Sequence, residues 1–248
     1  MVLPSQDRRI SQSHSFLEKY FERRDSPFLT IEANTPYLKE CFFRLRHDAF
    51  VKDTRSLKNI EPHPIYKDCD VDIYDENAFH FLTTFRPLDI FIGGIRLIRP
   101  TPKYRRLTFP SAEFSDPLHN FVEAVGAENC LELSRFMLSK SRMQFVDEHT
   151  QDKALANASP FAPTIGFLIQ KIYQVAQDQK ASYLITSLDA YLIRIFRQMH
   201  IEFISVGHAI PELGNLHPCY LDIEKSLKTL ASKNPKLYYF LTEEAIQE

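Results

Sequence analysis

The 248-residue chain has no tryptophan, only six glycines and only four cysteines, and these shortages remove several architectures at once. Cys41, Cys69, Cys130 and Cys219 are scattered, with no Cys-x-x-Cys pair and no histidine at zinc-ligand spacing. That excludes a disulfide framework and a metal centre as organising devices and leaves reduced, buried thiols as the expectation. His63, His80, His149, His208 and His217 form no ligand triad and no nucleophile elbow, so they read as structural or surface histidines. No stretch approaches the ~20 apolar residues of a membrane-spanning helix. The start, Met1 to Arg9, turns polar at once and lacks the apolar run of a secretory signal, so a cytoplasmic location is expected. Neither sign of charge dominates: 30 Lys and Arg against 32 Asp and Glu leave a net charge of -2, which gives no general reason to expect nucleic acid as a partner.

What is present is an ordinary globular composition, 44% hydrophobic and 25% charged, on a length that can bury one sizeable core. We expect a single domain over residues 1–248, with an N-terminal helix and strand in 1–34 and the core in 35–248. Phe16, Leu17, Tyr20 and Phe21 space an amphipathic helix over Ser13 to Arg24, and Phe28 to Ala33 alternates as a short strand. Asn34-Thr35-Pro36 starts a helix that runs from Tyr37 to about Lys52. Residues 53–77 read as a long loop. Ala78 to Phe85 and Ile90 to Ile98 flank Arg86-Pro87-Leu88-Asp89 as an antiparallel hairpin.

A short helix is expected near Pro117 to Val125, then a strand at Cys130 to Leu138. In that strand Leu131, Leu133, Phe136 and Leu138 share a face only if a bulge near Ser134 shifts the register. Cys130 itself reads as a small buried hydrophobe. After a linker come a helix (Thr164 to Gln179), a strand (Tyr183 to Ser187), a helix (Asp189 to His200) and a strand (Glu202 to Ile210). This order predicts a mixed α/β fold with a bent central sheet.

Charge stands where a plain core has none. Arg96 interrupts the apolar run Phe91 to Ile98; Glu132 and Arg135 punctuate the later strand; Arg46 lies four residues before Phe50; Asp72 and Asp75 are three apart in the loop. Buried charges are costly unless paired, so these residues predict a paired network lining a cleft, or ion pairs that only tie a loop to the sheet. Taken in order, Arg46-x3-Phe50, Asp72-x2-Asp75, Gly94-Ile95-Arg96-Leu97 and Glu132-Leu133-Ser134-Arg135 resemble the signature of the autoinducer (acyl-homoserine-lactone) synthases. The resemblance extends to their relatives, the N-acyl amino acid synthases and exosortase-associated acyltransferases, and runs from about Tyr37 onward. Ser205-Val206-Gly207-His208, Gly214 and the His217 to Asp222 run are more similar to the exosortase-associated branch. The tryptophan that the lactone synthases carry six residues after the phenylalanine is Ser56 here, which disfavours an S-adenosylmethionine pocket and favours a simpler amine.

The resemblance implies an acetyltransferase-like (GNAT, acyl-CoA N-acyltransferase) α/β fold whose central sheet splays open around an acyl-pantetheine arm. It implies transfer of a fatty acyl group from acyl carrier protein, or acyl-CoA, to the amine of an amino acid or similar small acceptor, with no bound cofactor. Backbone N–H groups freed by a bulge at Ser134 to Phe136 can meet the thioester oxyanion, and Glu132 can take the amine's proton. Arg96 and Arg135 would orient Glu132 and the Asp72/Asp75 loop. Asp72 and Asp75 would hold an ammonium or, alternatively, cap their own loop, and Arg46, Phe50 and Arg96 would complete the substrate-binding set. The Ser139 to Thr164 segment has no glycine for a pyrophosphate cradle, which favours a carrier-protein thioester. Lys103, Arg105, Arg106, Lys140 and Arg142 are candidates for docking an acidic carrier. Lactone synthesis from S-adenosylmethionine, and a non-catalytic lipid- or carrier-binding module, remain the alternatives.

Overall fold

Alternating apolar positions and a proline-led turn make the hairpin from which the sheet grows: Ala78–Phe85 (β2) pairs antiparallel with Ile90–Ile98 (β3), and Asp89 closes the turn at φ 47. A computed structural model describes residues 26–53, 68–100, 109–150 and 160–242. The expected Ser13 to Arg24 helix, Ser56, His63 and the basic positions Lys103, Arg105 and Arg106 lie outside these residues. Phe28–Glu32 (β1) adds antiparallel to the free edge of β2. β3 is buried on both faces, which explains its nearly continuous apolar sequence. One face is covered by the helix Pro36–His47, capped by Thr35 and led by Pro36, through Phe42 and Leu45. The other is covered by the helix Phe161–Asp178 through Ile165, Leu168, Ile169, Ile172 and Tyr173. Each such fully buried side chain stabilises by about 1.5–3 kcal/mol relative to exposure.

Cys130–Leu138 (β4) lies antiparallel to β3, and Tyr183–Leu188 (β5) lies parallel to β4. The sheet order is β1-β2-β3-β4-β5-β7-β6, with Ile204–Ser205 as β6 and His217–Asp222 as β7.

Two irregularities shape the sheet around β4. Arg96 faces Ser134 and Gly94 faces Met137, so Ile95 is opposed by both Arg135 and Phe136. This is the expected bulge, centred on Arg135 at φ 52, a left-handed conformation that costs a non-glycine residue about 1–2 kcal/mol. It brings Leu131, Leu133, Phe136 and Leu138 onto the side of the Phe161–Asp178 helix, as the pattern required. Glu132, Ser134 and Arg135 face the other way. Secondly, β4 pairs with β5 only through Cys130, Leu131 and Glu132, opposite Tyr183, Leu184 and Ile185, although both strands run on. Beyond Glu132 and Ile185 they part, and the sheet opens into a V.

Several expectations change. The helix begun at Pro36 is regular only to His47 and widens into a π turn over Asp48–Asp53. The anticipated linker after Ser139 contains the helix Lys140–His149, whose apolar face is only Met143 and Val146 wide and so leaves a weak periodic signal. The long helix starts at Phe161 rather than Thr164. The strand expected over Glu202 to Ile210 shrinks to Ile204–Ser205, because Gly207 turns the chain away at φ 71. The stronger strand is His217–Asp222, and the helices Ile223–Lys233 and Pro235–Thr242 follow it.

Candidate active site

The end of the Pro36–His47 helix carries Arg46 into the core, where its guanidinium is fully buried. It contacts Asp70 at 2.8 Å through Nε and at 2.9 Å through Nη2, and its Nη1 donates to both Asp75 oxygens at 2.9 and 3.1 Å. Asp75 also accepts from His80 Nε2 at 2.9 Å, from Arg96 Nη1 at 2.8 Å and from the Asp72 N–H at 2.7 Å. Asp72 accepts from Arg96, from Arg135 Nη2 at 3.1 Å and from the Tyr74 N–H at 3.0 Å. Arg96 Nε donates to Ser134 Oγ at 2.9 Å. Three arginines thus balance three aspartates, which is what makes their burial tolerable.

The ionisation states follow from these contacts. Burial works against the Asp75 carboxylate, but the His80 hydrogen bond and the Arg46 and Arg96 charges hold it well below the usual carboxylate range. Burial likewise opposes Asp70, and the charge and hydrogen bond of Arg46 outweigh it. For His80 burial wins over Asp75 and pushes its pKa down, so the ring is a neutral donor. Phe42 and Phe43 pack edge-on against it.

The network has one open edge. Side-chain exposure is 0% for Arg46 and 2% for Arg96, against 29% for Arg135 and 25% for Asp72. Phe50, from the π turn, lies beneath the Arg135 guanidinium at 5.9 Å. Arg46, Phe50, Asp72, Asp75, Arg96, Ser134 and Arg135 are therefore brought together in space. Phe136 points to the opposite face, edge-on to Phe196 at 5.9 Å, so only its backbone can serve the charged side. Asp70 is not singled out by the sequence, and His80 reads there only as a structural or surface histidine. Asp70 had a signal in the acidic cluster Asp68, Asp70, Asp72, whereas His80 alternates within β2 like any strand residue.

Glu132 corrects one expectation. It is 1% exposed, and its carboxylate is bonded not to an arginine but to Ser111, whose N–H lies 3.2 and 3.1 Å from its two oxygens and whose hydroxyl lies 2.9 Å from Oε1. Burial pushes Glu132 up to about 8, against the Ser111 hydrogen bonds and the charges of Arg96 and Arg135. Cys130, two residues before it, is buried too, and burial raises its thiol to about 12, which makes it a poor nucleophile. Of the described docking candidates, Lys140 is exposed, while Arg142 donates to Asp48 at 2.7 Å and to the Phe91 carbonyl at 3.1 Å. No helix among the described residues is long and apolar enough to cross a membrane.

Residues 45–144, the stretch from Leu45 through the whole charged site, match the family model of an acetyltransferase (GNAT) domain. No curated protein matches the sequence. Among solved structures the chain is similar to FeeM, an N-acyl amino acid synthase from uncultured soil microbes, at TM-score 0.56 and 12% identity over 82% of this chain and 95% of that one. It is similar to the AHL synthase LasI at TM-score 0.55 and 14% identity, over 89% and 98% of the two chains. It is also similar to BjaI, a CoA-dependent acyl-homoserine lactone synthase described with SAM and isopentyl-CoA, at TM-score 0.50 and 23% identity over 82% and 87%. The fold is the expected acetyltransferase-like one, and the domain match is to acyl-transferring proteins.

Proposed function

We propose that this chain is an N-acyltransferase that moves a fatty acyl group from a pantetheine thioester to the amine of an amino acid or similar small acceptor. The observation that carries the reading is the coincidence of the β4–β5 opening with the β4 bulge and a charged network, partly exposed at Asp72 and Arg135, on one face of that strand. A thioester arm laid in the V has its carbonyl beside the Arg135–Phe136 bulge, where backbone N–H groups without a β3 partner in register can stabilise the oxyanion. The amine approaches from the open Asp72–Arg135 edge, and its nitrogen attacks the carbonyl carbon. The C–S bond then breaks, the thiolate leaves, and the proton released by nitrogen passes to Glu132 or through it to the thiolate. The basic form of Glu132 is held back by burial, so turnover rises with pH towards about 8.

Acyl carrier protein as the donor is supported by the absence of glycine between Ser139 and Thr164 and by exposed Lys140. The C-terminal motifs Ser205 to His208 and His217 to Asp222 support placement in the exosortase-associated branch. The likeness to BjaI keeps lactone synthesis from S-adenosylmethionine as the second reading. A mass-spectrometric search for lipids in bacteria expressing the wild type or Glu132→Gln separates them. N-acyl amino acids made by the wild type and reduced ~10²-fold or more in the variant are expected. Acyl-homoserine lactones would establish the second reading, and no new product in either strain would favour a non-catalytic binding module.

A further inference from the structure

Glu132 is held differently from every other carboxylate of the site. Asp70, Asp72 and Asp75 are each held by arginine. Glu132 has no basic side chain in hydrogen-bond contact among the described residues; all three of its hydrogen bonds come from Ser111. Ser111 stands in the short helix Pro110–Glu113, where Phe109 provides no side-chain cap and Pro110 has no N–H. The Ser111 N–H is therefore a first-turn donor without a partner in its own helix, and Glu132 supplies the acceptor across 21 residues of sequence. The same segment is tied to the Asp72 loop, since the Tyr74 hydroxyl donates to Glu113 Oε1 at 2.7 Å. A carboxylate offers about four acceptor positions. Oε1 takes the Ser111 hydroxyl and a share of its N–H, whereas Oε2 takes only the other share. Oε2 therefore keeps room for one more donor.

We infer that Ser111 is a positioning residue for the proposed base: it fixes the Glu132 carboxylate, favours its ionised form and leaves Oε2 to receive the amine's proton, directly or through a water. This rests on the acyltransferase reading of the site. Hydrogen bonds to an ionised carboxylate make it a weaker base but a more abundant one, and in a site this buried abundance limits the rate near neutral pH. Among the described residues, the charged and titratable groups that act on Glu132 are Arg96 on β3 and Arg135 on β4, with Tyr74 of the loop near enough to feel its charge; Glu113, on the Ser111 helix, is bonded to Tyr74. None is altered by a change at Ser111, so a shift in the pH profile of such a variant reports on Glu132.

The test is the pH dependence of kcat/KM for release of free thiol from a medium-chain acyl-CoA, with the acceptor found in the product search. Ser111→Ala is expected to move the rising limb to higher pH by about one unit, lowering the rate tenfold below the limb and only a few-fold above it. Ser111→Thr, which keeps the hydroxyl, should restore the wild-type limb. A uniform loss at every pH, or a lowered Tm with an unmoved limb, would reduce Ser111 to a structural role and overturn the inference. If Glu132→Gln keeps both the limb and the rate, the base assignment itself fails. If Glu132→Gln abolishes the limb but Ser111→Ala leaves it in place, only the role of Ser111 fails. An activity-independent reading comes from infrared titration: a buried carboxylic-acid stretch absent in Glu132→Gln should disappear at higher pH in Ser111→Ala than in the wild type, and an unchanged titration would contradict the proposal.

Discussion

Two kinds of buried carboxyl group coexist on one face of the sheet, and they respond to pH in opposite senses. Glu132 has its proton affinity raised from 4.5 to about 8, so its proton is retained on folding while the unfolded chain has already lost it. The associated stability is fully present below about 4.5 and is lost as pH rises through about 8. Glu132→Gln should therefore flatten the stability curve over this window and gain on the wild type by a few kcal/mol at its upper end, measured by urea unfolding at several pH values. Asp70 and Asp75 are shifted down, so their contribution is present above the ordinary carboxylate range and is lost as pH falls through their folded values. His80, also lowered, adds to the acid side, because the unfolded chain gains a proton below ~6.5 that the folded ring resists. Arg46→Ala removes the fully buried partner of Asp70 and Asp75 and is expected to cost about 3–5 kcal/mol, since breaking one side of a buried pair leaves the other uncompensated. A loss below about 1 kcal/mol in chemical denaturation would show that the aspartates find water instead.

At the scale of the element, the β4 strand carries both its expected irregularity and three residues of the candidate site, Glu132, Ser134 and Arg135. The bulge was legible because four apolar residues at Leu131, Leu133, Phe136 and Leu138 cannot share a face in a regular strand, and burial demands that they do. The residue that adopts the left-handed conformation, Arg135 rather than Ser134, was not legible, because neither side chain favours it. β3 is shaped to match: a Cβ on Gly94 would sit 2.6 Å from Met137 Cε and 2.8 Å from the Phe81 carbonyl oxygen, which is backbone and cannot swing aside. Gly94→Ala is therefore expected to destabilise by about 1–3 kcal/mol and to depress turnover by disturbing the bulge opposite. Thermal unfolding and steady-state rates check both. The helix Lys140–His149 left no clear trace in the sequence because two buried residues in ten make too narrow a stripe, while the Phe161–Asp178 helix, apolar on most of its inner face, was legible to within three residues of its start.

For the whole molecule, net charge is uninformative and the placement of individual charges is what matters. Lys140 is exposed at the start of its helix, while Arg142 braces that helix against Asp48 and the Phe91 carbonyl. Charge reversal should separate the two. Lys140→Glu is expected to weaken use of an acyl carrier protein several-fold at low salt and to leave acyl-CoA use unchanged. Arg142→Glu should lower the melting temperature with either donor. Equal effects of Lys140→Glu on both donors would argue against a carrier surface there.

The amino-acid sequence alone determined the local elements whose signals are periodic or stereochemical: the hairpin around Pro87, the helix started by Thr35 and Pro36, the long inner helix and the register change in β4. It also singled out the charged residues, because arginine in an apolar strand is costly wherever the strand ends up. Only the tertiary structure decided which charges meet. Arg46 finds Asp70 and Asp75 at 24 and 29 residues' distance, and Glu132 turns from the arginines to Ser111, 21 residues away. The opening between β4 and β5 belongs to the same level, because it depends on where two strands distant in sequence stop pairing. Spacing along a chain encodes the face of an element, but hydrogen bonding and burial are decided by approach in space, and the chemistry of this site rests on those approaches.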